Sequence, residues 1–206
     1  MRPPLPTGKR GSGDRQKKCR ECRATLVFID ESGFSRVSAL RRSWAPRGQT
    51  PRLRTVTNHK QRLNLLGAVR LTPGGQRVHL QVKTFRHSLK GEQVLAFLKA
   101  VVAQVRGPLV VVWDNAAIHQ RRLVLDFVAS HARLSLVRLP SYAPELNPVE
   151  FVWAQLTQYL AGRAPRDVKE LMRLVQAGIH RTRISQRRLF TCLHGTPLDW
   201  RGTGVK

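Results

Sequence analysis

Apolar residues are sparse from Met1 to Arg23, and then Leu26, Val27, Phe28 and Ile29 form an unbroken apolar run. Such a run suits a strand covered on both faces. It ends at Asp30, so the pattern predicts a buried first strand that delivers a carboxylate at its C-terminal end. Two β-prone runs come next, Gln61 to Leu71 and Val78 to Phe85. The cluster Thr72-Pro73-Gly74-Gly75 between them predicts an antiparallel hairpin. From Glu92 to Val105, the residues Val94, Leu98, Val101, Val102 and Val105 fall at helical spacing, and Gly107-Pro108 stops the helix. The apolar run Leu109 to Trp113 is then a fourth strand, ending at Asp114. A helix over Arg121 to His131 leads to a fifth strand at Leu134 to Leu139.

After the turn-rich stretch Pro140 to Pro148, Val149, Val152, Trp153, Leu156 and Leu160 share one helix face. Val168, Leu171, Met172, Val175 and Ile179 mark another amphipathic helix, and the residues beyond it read as a basic tail with no defined element. The order β-β-β-α-β-α-β-α predicts an α/β domain over 24-200 with a five-stranded mixed sheet flanked by helices. The segment 1-23 holds too little apolar surface to offset its ordering entropy and reads as a flexible basic N-terminal arm.

Charge narrows the function. Lys and Arg number 37 against 12 Asp and Glu, a formal net charge of +25, which favours a polyanionic partner and above all nucleic acid. A membrane surface fits less well, because the basic residues are spread along the chain rather than gathered on one amphipathic helix. No apolar run is long enough to span a bilayer, and Met1 to Arg23 has no signal-type apolar region, so a cytoplasmic, nucleoid-associated protein is expected. Cys19, Cys22 and Cys192 are an odd number of thiols. The Cys19/Cys22 CxxC lacks a second ligand pair of similar spacing, so no structural zinc is expected.

With so few acids, each can be weighed. If the first and fourth strands are neighbours, Asp30 and Asp114 stand side by side at their C-terminal ends, where sites of open α/β sheets form. Two close carboxylates repel unless a cation lies between them. Mg²⁺ suits such a site, and two ions about 4 Å apart can serve both oxygens of an in-line phosphoryl displacement. Asp is equally a turn and capping residue after a strand. In Asn147-Pro148-Val149-Glu150 the glutamate reads as the third helical residue of a capping box, yet it also sits on the flank of the helix that faces the sheet. Asn115 and His119, close behind Asp114, are candidates to orient a phosphate or a metal-bound water.

Three segments occur in order: Phe28-Ile29-Asp30-Glu31-Ser32-Gly33-Phe34, Trp113-Asp114-Asn115-Ala116-Ala117-Ile118-His119, and Pro140 through Glu150 with Trp153. Together they resemble the DDE transposases of the IS630/Tc1/mariner superfamily, most closely the bacterial IS630 branch. The 35 residues between Asp114 and Glu150 suit that family's short final spacing. The resemblance implies a ribonuclease H-like fold with Asp30, Asp114 and Glu150 as the catalytic and metal-binding triad for two Mg²⁺, with Mn²⁺ able to substitute. It implies strand cleavage at element ends and transfer of the freed 3′-hydroxyl into target DNA, typically at TA, by a homodimer on DNA. Arg47, Lys60, Arg62, Arg86 and Lys90 are candidate contacts to the DNA backbone. Family members usually carry helix-turn-helix modules before the catalytic domain. Here only the basic arm precedes it, so a separately encoded helix-turn-helix half upstream is one expectation. A catalytically idle DNA-binding relic and a ribonuclease H-like nuclease are the alternatives.

Overall fold

The computed structural model describes residues 24–36, 46–48 and 62–200. The basic arm, Cys19, Cys22 and Lys60 lie outside the described residues. Strand β1 (Thr25–Ser35) is the spine of the fold. On one side it pairs antiparallel with β2 (Arg62–Leu71) from Leu26↔Leu71 to Ser35↔Arg62. On the other it pairs in parallel with β4 (Leu109–Trp113), but only from Thr25↔Leu109 to Phe28↔Val112. Strands β3 (Val78–Phe85) and β5 (Leu134–Arg138) complete a mixed five-stranded sheet of order β3-β2-β1-β4-β5.

The ladder corrects one expectation. The first strand does not end at Asp30. It runs on to Ser35, because β2 continues to pair with it, Asp30 opposite Gly67 and Glu31 opposite Leu66. Apolar residues give out at Asp30 because β4 no longer pairs there, and a strand without a neighbour on one side can present polar groups.

Alternation along the strands sends side chains to two cores. Val27, Ile29, Leu66, Ala68, Val111 and Trp113 face helices α1 (Gly91–Ala103) and α2 (Arg122–Ala129). Phe28, Leu65, Val69 and Val112 face α3 (Pro148–Leu160), α4 (Val168–Arg183) and a further helix, α5 (Gln186–His194). Helix α5 is the second correction, since it lies in the stretch read as a formless basic tail. Leu189, Cys192 and Leu193, at helical spacing, are fully buried, and burial pushes the Cys192 thiol up to about 12. Trp200 then closes this core. It is buried edge-on to Phe28 with centroids 6.0 Å apart, and its indole N–H donates to the Leu193 carbonyl at 2.9 Å.

Candidate active site

Alternation decides which carboxylate goes where. Asp30 follows Phe28 by two residues and so faces α3, whereas Glu31 follows Ile29 and faces the opposite side. Asp114 follows the last residue of β4, and Glu150 lies in the first turn of α3. Asp30, Asp114 and Glu150 line one open cleft of about 350 Å³ with Asn115 and the loop from Leu139 to Pro144.

Asp30 is buried, 8% exposed, and accepts a hydrogen bond from the Trp153 indole N–H at 2.7 Å. Gly67 makes this contact possible. It sits directly across from Asp30, and a Cβ there would lie 2.6 Å from the Trp153 ring. Burial pushes the Asp30 carboxyl up to about 8; the charge of Glu150 adds to this, the Trp153 hydrogen bond opposes it, and Glu31 and Asp114 raise it further. Glu150 is also raised, by burial and by Asp114. The acids repel one another, and none of the described lysines and arginines of this basic chain lines the cleft.

The capping-box expectation for Glu150 is half met. Asn147 does cap α3, accepting from the Val149 N–H at 3.1 Å. Its own N–H goes to the Pro144 carbonyl at 2.9 Å rather than to Glu150, whose carboxylate is left to the cleft. The buried Asn147 amide also donates to the Ile29 carbonyl at 3.2 Å, tying the start of α3 to the residue before Asp30.

On the other side of Asp114 lies His119, 1% exposed and stacked on Trp113 with centroids 4.6 Å apart. Its Nε2 is 2.5 Å from Glu31 Oε1 and its Nδ1 is 3.0 Å from Asp114 Oδ1. Burial lowers the His119 pKa, but the hydrogen bond to Glu31 and the charges of Glu31 and Asp114 outweigh it, and the net shift is upward. Among the described residues, Glu31, Asp114 and His119 are the group whose potential ligand atoms all fall within 4.8 Å of one another. A histidine ring whose two nitrogens are already engaged by Glu31 and Asp114 accounts for this closeness without an ion. The Ala116 N–H also donates to Asp114 Oδ1, at 2.9 Å.

Sequence reasoning did not find Glu31, Trp153 as a partner of Asp30, or Tyr142. Glu31 was signalled only by its place beside Asp30, and alternation puts it on the face turned away from α3. Tyr142 lines the cleft, fully exposed and held at φ 59, a left-handed conformation rare for a bulky side chain. Asn115 lines the cleft too, but its amide donates to the Leu139 carbonyl at 3.1 Å, joining the ends of β4 and β5. Arg47, Arg62, Arg86 and Lys90 are exposed and do not line the cleft.

A family model described as DDE superfamily endonuclease matches residues 25–172. The chain belongs to this family. No curated protein matches the sequence significantly. Among solved structures the chain is similar to Mos1 transposase in a paired-end complex with the left transposon end, with TM-score 0.66 and 16% identity over 93% of this chain and 57% of that one. A pre-cleavage Mos1 transpososome matches with TM-score 0.59 and 16% identity, over 91% and 60% of the two chains. The Mos1 transposase catalytic domain with raltegravir and Mn matches with TM-score 0.52 and 15% identity, over 91% and 90%. At such identities the likeness is one of fold, the ribonuclease H-like fold of a transposase catalytic domain. The chain spans little more than half the length of the Mos1 chains in the DNA complexes.

Proposed function

We propose that this DDE endonuclease domain is the catalytic domain of an IS630/Tc1/mariner-type transposase, which cleaves DNA strands at element ends and joins the freed 3′-hydroxyl to target DNA. The observation that carries this reading is the convergence of Asp30, Asp114 and Glu150 on one cleft, with the Asp30 carboxyl pushed up to about 8 by burial and by its acidic neighbours. Three hard oxygen donors in a cleft that no described lysine or arginine lines fit Mg²⁺ or Mn²⁺, the ions named in the Mos1 paired-end complexes. When bound, such ions would activate the attacking oxygen and stabilise the leaving one.

The protein's own contribution is positioning. Trp153 holds one Asp30 oxygen, so that the other is free to face the cleft. His119, locked by Glu31 and by the Trp113 face, steadies Asp114 from behind. Asn147 fixes the first turn of α3, and with it Glu150, against β1. The net charge of +25 draws the DNA in. The Mos1 structures include paired-end and strand-transfer complexes, which supports a dimer on DNA here too. The basic arm over 1-23 and any upstream helix-turn-helix half would then serve end binding.

Conversion of Asp30 or Asp114 to Asn, or of Glu150 to Gln, is expected to lower metal-dependent cleavage of an element-end duplex about a hundred- to a thousandfold, the scale of removing a group that stabilises transition-state charge. DNA affinity and the folded state should persist. Full cleavage by all three variants would exclude the triad. Cleavage of RNA–DNA hybrids in preference to duplex DNA would point to a nuclease instead.

A further inference from the structure

We propose that a basic cavity between α3, α4 and α5 is a second DNA-backbone site, which holds a segment of duplex other than the one at the carboxylates. The inference rests on the transposase reading. The cavity has a volume of about 620 Å³, and its lining includes Gln158, Tyr159, Arg163, Arg181, Thr182 and Arg188, with no carboxylate among the described residues.

Three observations on different elements converge there. The Arg163 guanidinium lies 4.4 Å from the Tyr159 ring centroid and that of Arg181 lies 6.0 Å from it, so one ring gathers cations from α4 and from the turn after α3. The Arg163 Nε–H donates to the Tyr159 carbonyl at 2.8 Å, which fixes this guanidinium at the ring and leaves its terminal N–H groups for phosphate oxygens. Next, α4 can approach this ring only because residue 178 is glycine: a Cβ there would lie 2.8 Å from Tyr159 and 2.6 Å from Leu156. Finally, the chain from Leu171 to Leu198 contains no Asp or Glu, while it carries Arg173, Arg181, Arg183, Arg187 and Arg188. Cations in the last turn of a helix complement its dipole, which accounts for His180, Arg181 and Arg183 on α4. It does not account for Arg163 meeting Arg181 at the same ring.

Geometry separates this cavity from the active cleft. Glu150 and Tyr159 are nine residues apart on α3, which amounts to about 14 Å of rise and about two and a half turns. They therefore flank opposite sides of the buried stripe of α3. A phosphodiester at Glu150 cannot also reach Tyr159, so the cavity takes a different stretch of backbone, either farther along the same duplex or in a second one.

The test uses the full chain with Arg163→Gln and Arg181→Gln combined, neither residue belonging to the cleft. Binding of a 40-base-pair duplex is measured against salt, alongside cleavage of a minimal duplex that spans only the cleft. Each lost phosphate contact lowers the slope of log K against log salt by about 0.9, so the double variant is expected to lose about two units of slope while cleavage of the minimal duplex and the melting temperature stay unchanged. An unchanged slope would overturn the proposal and leave the transposase reading standing. Unchanged duplex binding with lost binding of poly-glutamate would assign the cavity to an acidic protein and overturn it as well. If the wild-type chain binds the duplex without salt dependence, both this inference and the DNA reading fail.

Discussion

At the scale of single residues, the site is a set of charges held against their own preference. Asp30 binds its proton more tightly in the folded chain than in the unfolded one, since its carboxyl rises from 3.8 to about 8. Stability linked to it is thus fully present below about pH 4 and is lost as pH rises toward about 8. Glu150, also raised, acts in the same direction. His119 is raised as well, so its contribution is present below about 6.5 and is lost as pH climbs through its folded value. All three make the metal-free protein less stable as pH rises from about 4 toward about 8. A basic chain sheds self-repulsion over the same range, so the Asp30→Asn variant is the proper reference: its melting temperature should fall less than that of the wild type. Mg²⁺ should stabilise the wild type more at about pH 8.5 than at about pH 6, because ion binding displaces protons from the carboxylates. Calorimetric melting with and without Mg²⁺ checks both. A wild-type curve parallel to that of Asp30→Asn would show that Asp30 is not perturbed.

At the scale of elements, the contact that positions Asp30 is made by packing between β2 and α3. The Trp153 ring lies over Gly67, and only a residue without a side chain leaves it room. Gly67→Ala is expected to cost about 1–3 kcal/mol through overpacking. It should also move the indole off Asp30, so that metal-dependent cleavage falls more than DNA binding does. Denaturant unfolding and a cleavage assay together test this, and cleavage at the wild-type level in the folded variant would show that the Trp153 contact is dispensable. The same region shows what the sequence could and could not reveal. Strands β1, β4 and β5 and helix α3 were legible because their apolar residues follow the period of the element, and the two aspartates stood out at the ends of apolar runs. The continuation of β1 past Asp30 was not legible, since it depends on β2 pairing where β4 has ended. That continuation places Glu31 on the far face, beneath His119, and no local pattern announces such a pair.

At the scale of the whole molecule, the sheet needs cover on both faces, and on the α3 side the cover is completed by the part of the chain that looks least like protein interior. Helix α5 carries Arg187 and Arg188 in its first turn and follows the basic end of α4, and this charge conceals the short stripe Leu189, Cys192 and Leu193 that docks on the core. The family match ends inside α4, before this stripe and Trp200. Trp200 packs edge-on to Phe28, and Phe28 is two residues from Asp30 on the same face of β1. Trp200 therefore braces the strand that carries the site. Trp200→Ala is expected to destabilise the fold by about 3–5 kcal/mol, the usual cost of emptying a buried aromatic site. Trp200→Phe, which keeps the ring but loses the indole hydrogen bond to Leu193, should cost about 1 kcal/mol. Equilibrium unfolding of both variants distinguishes a structural cap from a loose tail. If Trp200→Ala unfolded at the wild-type midpoint, Trp200 would be an ornament on a core that α5 already closes through Leu189, Cys192 and Leu193.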